Sequence, residues 1–230
     1  MSFRTKTTIK NIISAIVLTL FMIVCLFSIT GIVFNYVYTP APVSSFSMYP
    51  TLNKNAPDFE TESDWAYLNN FAEYKNNDIV IAKVTWHHTA IIKRLIASPG
   101  DTVEIRDENT HYSLYVNNSL IYTKNKTDFC EAHLEYNKSD GTNGYFSRYT
   151  SMLERNPNQV IETSAGTKAF KLNENEYFLM GDHWEESTDC SSMGPVKKDE
   201  ILGKVDFVIP VNENRFWGML KQIIITTFKV

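Results

Sequence analysis

A chain of 230 residues, 43% hydrophobic and 21% charged, carries enough apolar material for one folded domain and too much charge to be embedded in lipid throughout. A net charge of −4 without a clustered Lys/Arg face argues against a nucleic-acid-binding protein. Of the three cysteines, Cys25 falls inside an apolar run, which leaves Cys130 and Cys190 as the candidate disulfide pair; no zinc-type spacing joins them.

No charged residue occurs from Asn11 to Asn53, and Ile12 to Phe34 is almost wholly aliphatic or aromatic. As a helix, that stretch rises about 35 Å, sufficient for a ~30 Å hydrocarbon core with some tilt. Arg4, Lys6 and Lys10 precede it with no acid among them, and the next charge is Lys54. The positive-inside bias then places residues 1–10 in the cytoplasm, 11–35 across the membrane and 36–230 outside as an extracytoplasmic domain. Tyr36 and Tyr38 fall at the outer interface, where amphipathic rings are favoured. A cleaved export signal fits poorly, because the run is too long and "YTPAPVSS" sets Pro42 directly after Ala41.

After the apolar run comes "SSFSMYPTL" (Ser44–Leu52), a polar turn rich in hydroxyls. Residues 53–76 hold five acids against two lysines and read as a solvated excursion with a short helix around Trp65 to Tyr74. From there the pattern is β. "DIVIAKV" and "AIIKRLI" are β-branched runs joined by "TWHHT" as a hairpin, and "PGD" at 99–101 is a turn signal. "TVEIRD" and "YSLYVNNSLIYT" follow as strands, the second broken by a tight turn at Asn117-Asn118. Residues 130–170 read as an irregular polar insertion, "EYFLM" and "KVDFVI" as two further strands, and "MLKQIIITTFKV" as a strand or surface helix too short to span lipid. The predicted architecture is a mainly β, antiparallel sheet or barrel-like domain tethered by one N-terminal transmembrane helix.

Two patches carry chemistry. Lys93 and Arg94 are adjacent in a strand-like run, so their side chains point to opposite faces. Taken alone the pair reads more readily as two cations snorkelling along an edge strand. If one is buried, Lys93 is the interesting one, since desolvation leaves a neutral amine near pH 7 whereas an arginine stays charged. The loop "MGDHWEESTDCSSMGPV" (Met180–Val196) offers Asp182, Glu185, Glu186 and Asp189, but their spacing matches no EF-hand, and no metal or cofactor is expected.

Taken together and in order, these segments resemble the bacterial type I signal peptidases, the S26 family of Ser-Lys serine endopeptidases. "SMYPTL" looks like the nucleophile box, "KRLIASPGD" is similar to the lysine box, "MGDHWEESTDCSSMGPV" resembles the Gly-Asp-Asn box, and "NNDIVIAKV" fits the strand box between the first two. The resemblance implies Ser47 as nucleophile and Lys93 as general base. It implies an oxyanion hole of the Ser47 N–H and Ser45 hydroxyl, with Ser187 orienting the lysine. Arg94, Asp182 and Asp189 match positions that hold the site together, and Met48, Pro50 and Thr51 shape the nucleophile turn. The implied partners are a lipid bilayer and secretory precursors with A-x-A-like cleavage sites.

Several positions depart from the family pattern. Phe46 stands where a small or polar residue is usual, His183 replaces an asparagine, Ala97 a glycine, and Ser191 the arginine that commonly accompanies the box aspartate. These departures, with the acidic excursion, motivate a rival expectation: a tethered assembly or chaperone factor on the same fold, with peptidase activity narrowed or lost.

Overall fold

The computed structural model describes residues 3–56, 62–128 and 145–228. Helix α1 (Phe3–Val37) contains a stretch from Lys10 to Val37, 28 residues, long and apolar enough to cross a membrane, and no residue of its most apolar window is buried by protein. Its polar side chains turn back on their own helix. Thr19, Ser28, Thr30 and Asn35 each donate to a carbonyl one turn earlier, which satisfies them without water.

The strands, in chain order, are β1 (Tyr38–Pro42), β2 (Trp65–Asn69), β3 (Ile79–Ala82), β4 (Ile91–Ala97), β5 (Thr102–Asp107), β6 (His111–Val116), β7 (Ser119–Asn125), β8 (Val160–Glu162), β9 (Lys168–Lys171), β10 (Glu176–Met180), β11 (Val196–Lys197) and β12 (Ile201–Ile209). They form two antiparallel sheets, ordered β1-β2-β12-β3-β4-β10-β11 and β7-β6-β5-β9-β8. The mainly β, antiparallel fold with one N-terminal apolar helix is therefore as expected, the larger sheet curling into a half-barrel.

Turn chemistry follows the residues. Asp101 N–H donates to Ser98 O at 3.0 Å, with Gly100 at φ 83°, a conformation that needs no Cβ. Asn117 and Asn118 sit at φ 51° and 65°, the double left-handed turn that joins β6 to β7.

The main core lies where the two sheets meet, with Leu95, Val103, Ile105, Leu114, Phe170 and Phe178 all almost fully enclosed. A second cluster, Val43, Met48, Leu52, Ala66, Leu68, Ile81 and Val205, fills the space under the Ser44–Leu52 turn. Met48 is completely buried there, and burying such a side chain contributes roughly 1.5–3 kcal/mol. A third cluster joins the end of α1 to the domain: Phe34 packs with Tyr67 and Ile209, and Met219 and Ile223 lean on it from helix α4 (Arg215–Phe228).

Two expectations are corrected. Trp65 to Tyr74 does not start a helix. Its first half is β2, paired on one side with β1 and on the other with β12. Ala66 and Leu68 enter the second cluster while Tyr67 enters the third, so burial of both faces of a strand between two neighbours overrides helix propensity. The stretch read as an irregular insertion also holds regular structure where it is described. Helix α2 (Tyr145–Arg155) buries Tyr145, Tyr149, Met152 and Leu153, the i, i+4, i+7, i+8 stripe of an amphipathic helix, and β8 and β9 follow. Of the two forms open to the C-terminal segment, the helix is the one present. Cys130 lies outside the described residues, whereas Cys190 is a free and fully buried thiol, and burial pushes its pKa up.

Candidate active site

Ser47 sits on the turn that follows β1, and two short bonds close that turn: Tyr49 N–H to Phe46 O at 2.8 Å and Leu52 N–H to Met48 O at 3.0 Å. Among the described hydrogen bonds none uses the Ser47 amide as donor. Its carbonyl is held from the opposite loop by His183 N–H at 3.1 Å. Met48 anchors the turn from beneath, and Pro50 follows a cis Tyr49–Pro50 bond.

A clamp fixes the turn from behind. Asn53, at φ 60° and fully buried, donates from Nδ2 to Val43 O at 2.6 Å and to Ser45 O at 3.1 Å. Its amide donates to Asp64 at 2.7 Å, and the Asp64 amide returns a bond to Asn53 Oδ1 at 2.8 Å. Asp64 also receives Val211 N–H at 2.9 Å, which ties the turn to the end of β12. Neither residue appears among the expected site positions. Asp64 reads as one more solvated acid of the excursion, and only the fold shows that its carboxylate is buried.

Lys93 lies in the middle of β4, opposite Val80 of β3 and between Ile91 and Leu95 on one face. It is 4% exposed, and Ser47 5%. Nζ of Lys93 stands 2.5 Å from Oγ of Ser47. Burial lowers the pKa of this amine below its ordinary value of 10.5, while the nearby carboxylates of Asp189 and Asp182 offset part of that effect. Such a pair can exchange a proton directly: a neutral amine in hydrogen-bond reach takes the hydroxyl proton as oxygen becomes a nucleophile. Ser45 Oγ lies 3.2 Å from Ser47 Oγ, on the same turn.

The Met180–Val196 loop closes the site. Arg94, pointing to the face opposite Lys93, makes a fork to Asp182: Nε to Oδ1 at 2.8 Å and Nη2 to Oδ2 at 2.6 Å. Thr51 donates to the same carboxylate at 2.5 Å, and Arg94 Nη1 reaches Asn77 O at 2.9 Å, so strand, turn and loop meet at one anion. Asp189 is fully buried and accepts four bonds: Ser187 Oγ at 2.5 Å and Gly181 N–H at 2.9 Å on Oδ2, Ser191 N–H at 3.0 Å and Ser191 Oγ at 2.7 Å on Oδ1. Ser191 thus supplies two donors to this carboxylate, which also caps the short helix α3 (Cys190–Met193). The Ser187 hydroxyl is directed at Asp189, and its described bonds do not include the Lys93 amine.

Gly181 separates the two halves of the site. A Cβ built on it would come within 2.3 Å of both Ser187 Oγ and Ser47 O, so only glycine lets the loop approach the turn this closely. Phe46 meets Tyr49 edge-on at 5.9 Å, and His183 tilts against Tyr49 at 6.0 Å, a small aromatic rim beside the serine. Among the described residues no group of three or more His, Cys, Asp or Glu side chains is arranged to hold a metal. Ser47 and Lys93 open on a cleft of about 450 Å³ between the β1 extension, with Pro42, Ser44 and Ser45, and the start of β4, with Ile91.

The family model for signal peptidase, peptidase S26, matches residues 12–210. Signal peptidase I S of Bacillus subtilis (strain 168) is 30% identical over 183 residues, which cover 79% of this chain and 82% of that relative. Signal peptidase IB of Staphylococcus aureus (strain COL) is 30% identical over 195 residues, covering 83% and 84%. A solved structure of signal peptidase I from Enterococcus faecalis V583 aligns with a TM-score of 0.34 at 21% identity, over 58% of this chain and 97% of that one.

Proposed function

Because this chain belongs to the signal peptidase family, peptidase S26, we propose that Ser47 and Lys93 are the catalytic pair of a membrane serine endopeptidase that removes signal peptides from secreted precursor proteins. The observation that carries the assignment is the 2.5 Å separation of a nearly buried amine and a nearly buried alcohol. The rival reading, an inactive assembly factor on this fold, is not favoured: its relatives are peptidases and both members of the pair are present.

In this mechanism Lys93 accepts the Ser47 proton as Oγ attacks the scissile carbonyl. The oxyanion is met by the Ser47 N–H and the Ser45 hydroxyl, which supports its role by standing 3.2 Å from the attacking oxygen. The ammonium then gives its proton to the departing amine, leaving an acyl-enzyme on Ser47. Lys93, neutral again, takes a proton from water as it attacks the ester, and returns that proton to Ser47 Oγ as the acyl bond breaks and the serine is freed. Asp189 and Ser187 hold the loop against the lysine, and the Arg94–Asp182–Thr51 junction holds strand to turn. Ser187 acts through Asp189 and the packing of the loop.

The chain has one apolar helix compatible with a membrane anchor. We assign residues 1–10 to the cytoplasm, 11–35 to the bilayer and 36–230 to the outer side, following the charge bias. Tyr36, Phe71, Phe216 and Trp217 are all at least 60% exposed. Tyr36 stacks on Phe71 near the end of α1, and α4 packs its other face on the Phe34 cluster. An aromatic collar at the point where the anchor meets the domain suits a membrane surface. Ser47 follows the anchor so closely that the cleft meets a precursor whose apolar segment is still in lipid.

Full-length protein in vesicles is expected to cleave a preprotein directly after the second small residue of an A-x-A site. A bulky residue in that last position should abolish the cut. Mass spectrometry of the product N-termini checks this, and cleavage indifferent to that residue would refute the small-residue specificity.

A further inference from the structure

Among the described residues strand β1 is the edge of its sheet, bonded to β2 on one side only. Which of its groups face outward follows from two bonds: Asn70 N–H donates to Val37 O, and Val43 N–H donates to Asp64 O. Odd-numbered residues therefore turn their main-chain groups toward β2, and by the period of two the even-numbered ones turn theirs away. Two of those outward positions are Pro40 and Pro42, which have no N–H to offer.

Pro42 and Ser44 line the cleft that holds Ser47 and Lys93, and Ala90, Ile91 and Ile92 line its other wall. There, among the described residues, β4 has a free edge as well, because its ladder to β10 ends at the Met180–Arg94 pair. Two strand edges thus face one another across the serine, a gap that suits one extended peptide segment adding its main chain to both.

We propose that Pro42 sets how firmly the cleft grips a substrate main chain: it accepts a hydrogen bond from the bound segment through its carbonyl but withholds the main-chain donor that any other residue would supply there. This rests on the reading that Ser47 cuts peptides bound in this cleft. The substrate carbonyl facing Pro42 is left to water, so the backbone is gripped by one bond fewer. Backbone bonds hold every sequence equally, whereas side-chain contacts discriminate. Removing one of the former weakens the hold on every precursor by the same factor and leaves discrimination between good and poor substrates to the side chains.

The test compares the full-length wild type, Pro42→Ala, Pro42→Val and Pro40→Ala in vesicles. One preprotein carries small residues at its cleavage site and a second carries a poor side chain there. Both Pro42 variants restore the N–H, one with a small and one with a strand-favouring side chain. Both are expected to raise kcat/KM on the two substrates alike, by about 3- to 10-fold, the range of one net hydrogen bond, with their ratio unchanged. Pro40→Ala, on the same edge but outside the cleft lining, should leave both values unchanged. If Pro42→Ala alone lowers Tm, Pro42→Val carries the comparison. Folded Pro42 variants with no gain, or a gain equal to that of Pro40→Ala, would overturn the proposal while leaving the peptidase reading intact. Cleavage that persists in Ser47→Ala would instead overturn the reading beneath it.

Discussion

Ser47→Ala is expected to lower kcat/KM for precursor cleavage by on the order of 10⁴- to 10⁶-fold, with the fold retained. Removing the nucleophile of a pair that acts as a unit forfeits the whole covalent route, and what remains is binding and oxyanion stabilisation. The turn should survive. Its shape rests on Met48 in the apolar cluster beneath, on the Asn53–Asp64 clamp behind and on two backbone bonds of its own, none of which uses the serine oxygen. Single-turnover cleavage together with circular dichroism checks both halves. A folded Ser47→Ala protein within tenfold of wild type would show that another group attacks the substrate.

Lys93→Met should be as damaging to activity and should raise Tm at neutral pH. The sulfur side chain fills nearly the same volume among Ile91, Leu95 and Val80 but takes no proton. The stability change has a definite sign. Burial holds the Lys93 pKa below the 10.5 of an exposed amine. Above 10.5 the amine is neutral in both folded and unfolded chains, so it imposes no pH-dependent cost. As pH falls between 10.5 and the folded value, the unfolded chain gains a proton that the folded chain refuses, and stability drops. Below the folded value the loss is complete and constant. Methionine removes that loss, so function is held at the expense of stability. Lys93→Arg separates charge from basicity: guanidinium stays protonated and cannot accept the serine proton, so this variant should also be inactive. Thermal melts and kinetics of the three proteins test this. Substantial activity in Lys93→Met would exclude the amine as base.

The sequence allowed these partners to be named before their distance was known, and the reason is local. Each box is a short segment whose turn residues, Pro50, Gly100 and Gly181, sit at fixed offsets from a chemistry-bearing side chain, and the strands around them alternate with period two. The anchor was equally legible, since lipid imposes length and the absence of charge on a continuous stretch. What escaped the sequence depended on contacts between distant segments. Trp65–Asn69 looked like part of a polar excursion because both its faces are buried and no alternation survives. Asp64 looked solvated because its partners, Asn53 and Val211, lie 11 and 147 positions away. Ser191 looked like a lost arginine, and only the helix start at Cys190 shows that its hydroxyl and amide both serve Asp189. Lys93 itself reads as an ordinary edge-strand cation until the strand is seen to be paired on both sides, with β3 along its length and β10 beyond Arg94.

The dependence of kcat/KM on pH probes most directly whether the amine has lost its water. Measured on the full-length protein in vesicles with a peptide that does not itself titrate, log kcat/KM should climb with unit slope as Lys93 sheds its proton and level off below pH 10.5. A profile still climbing at pH 10.5 would mean a hydrated, ordinary lysine, and with it the loss of the base on which this mechanism depends.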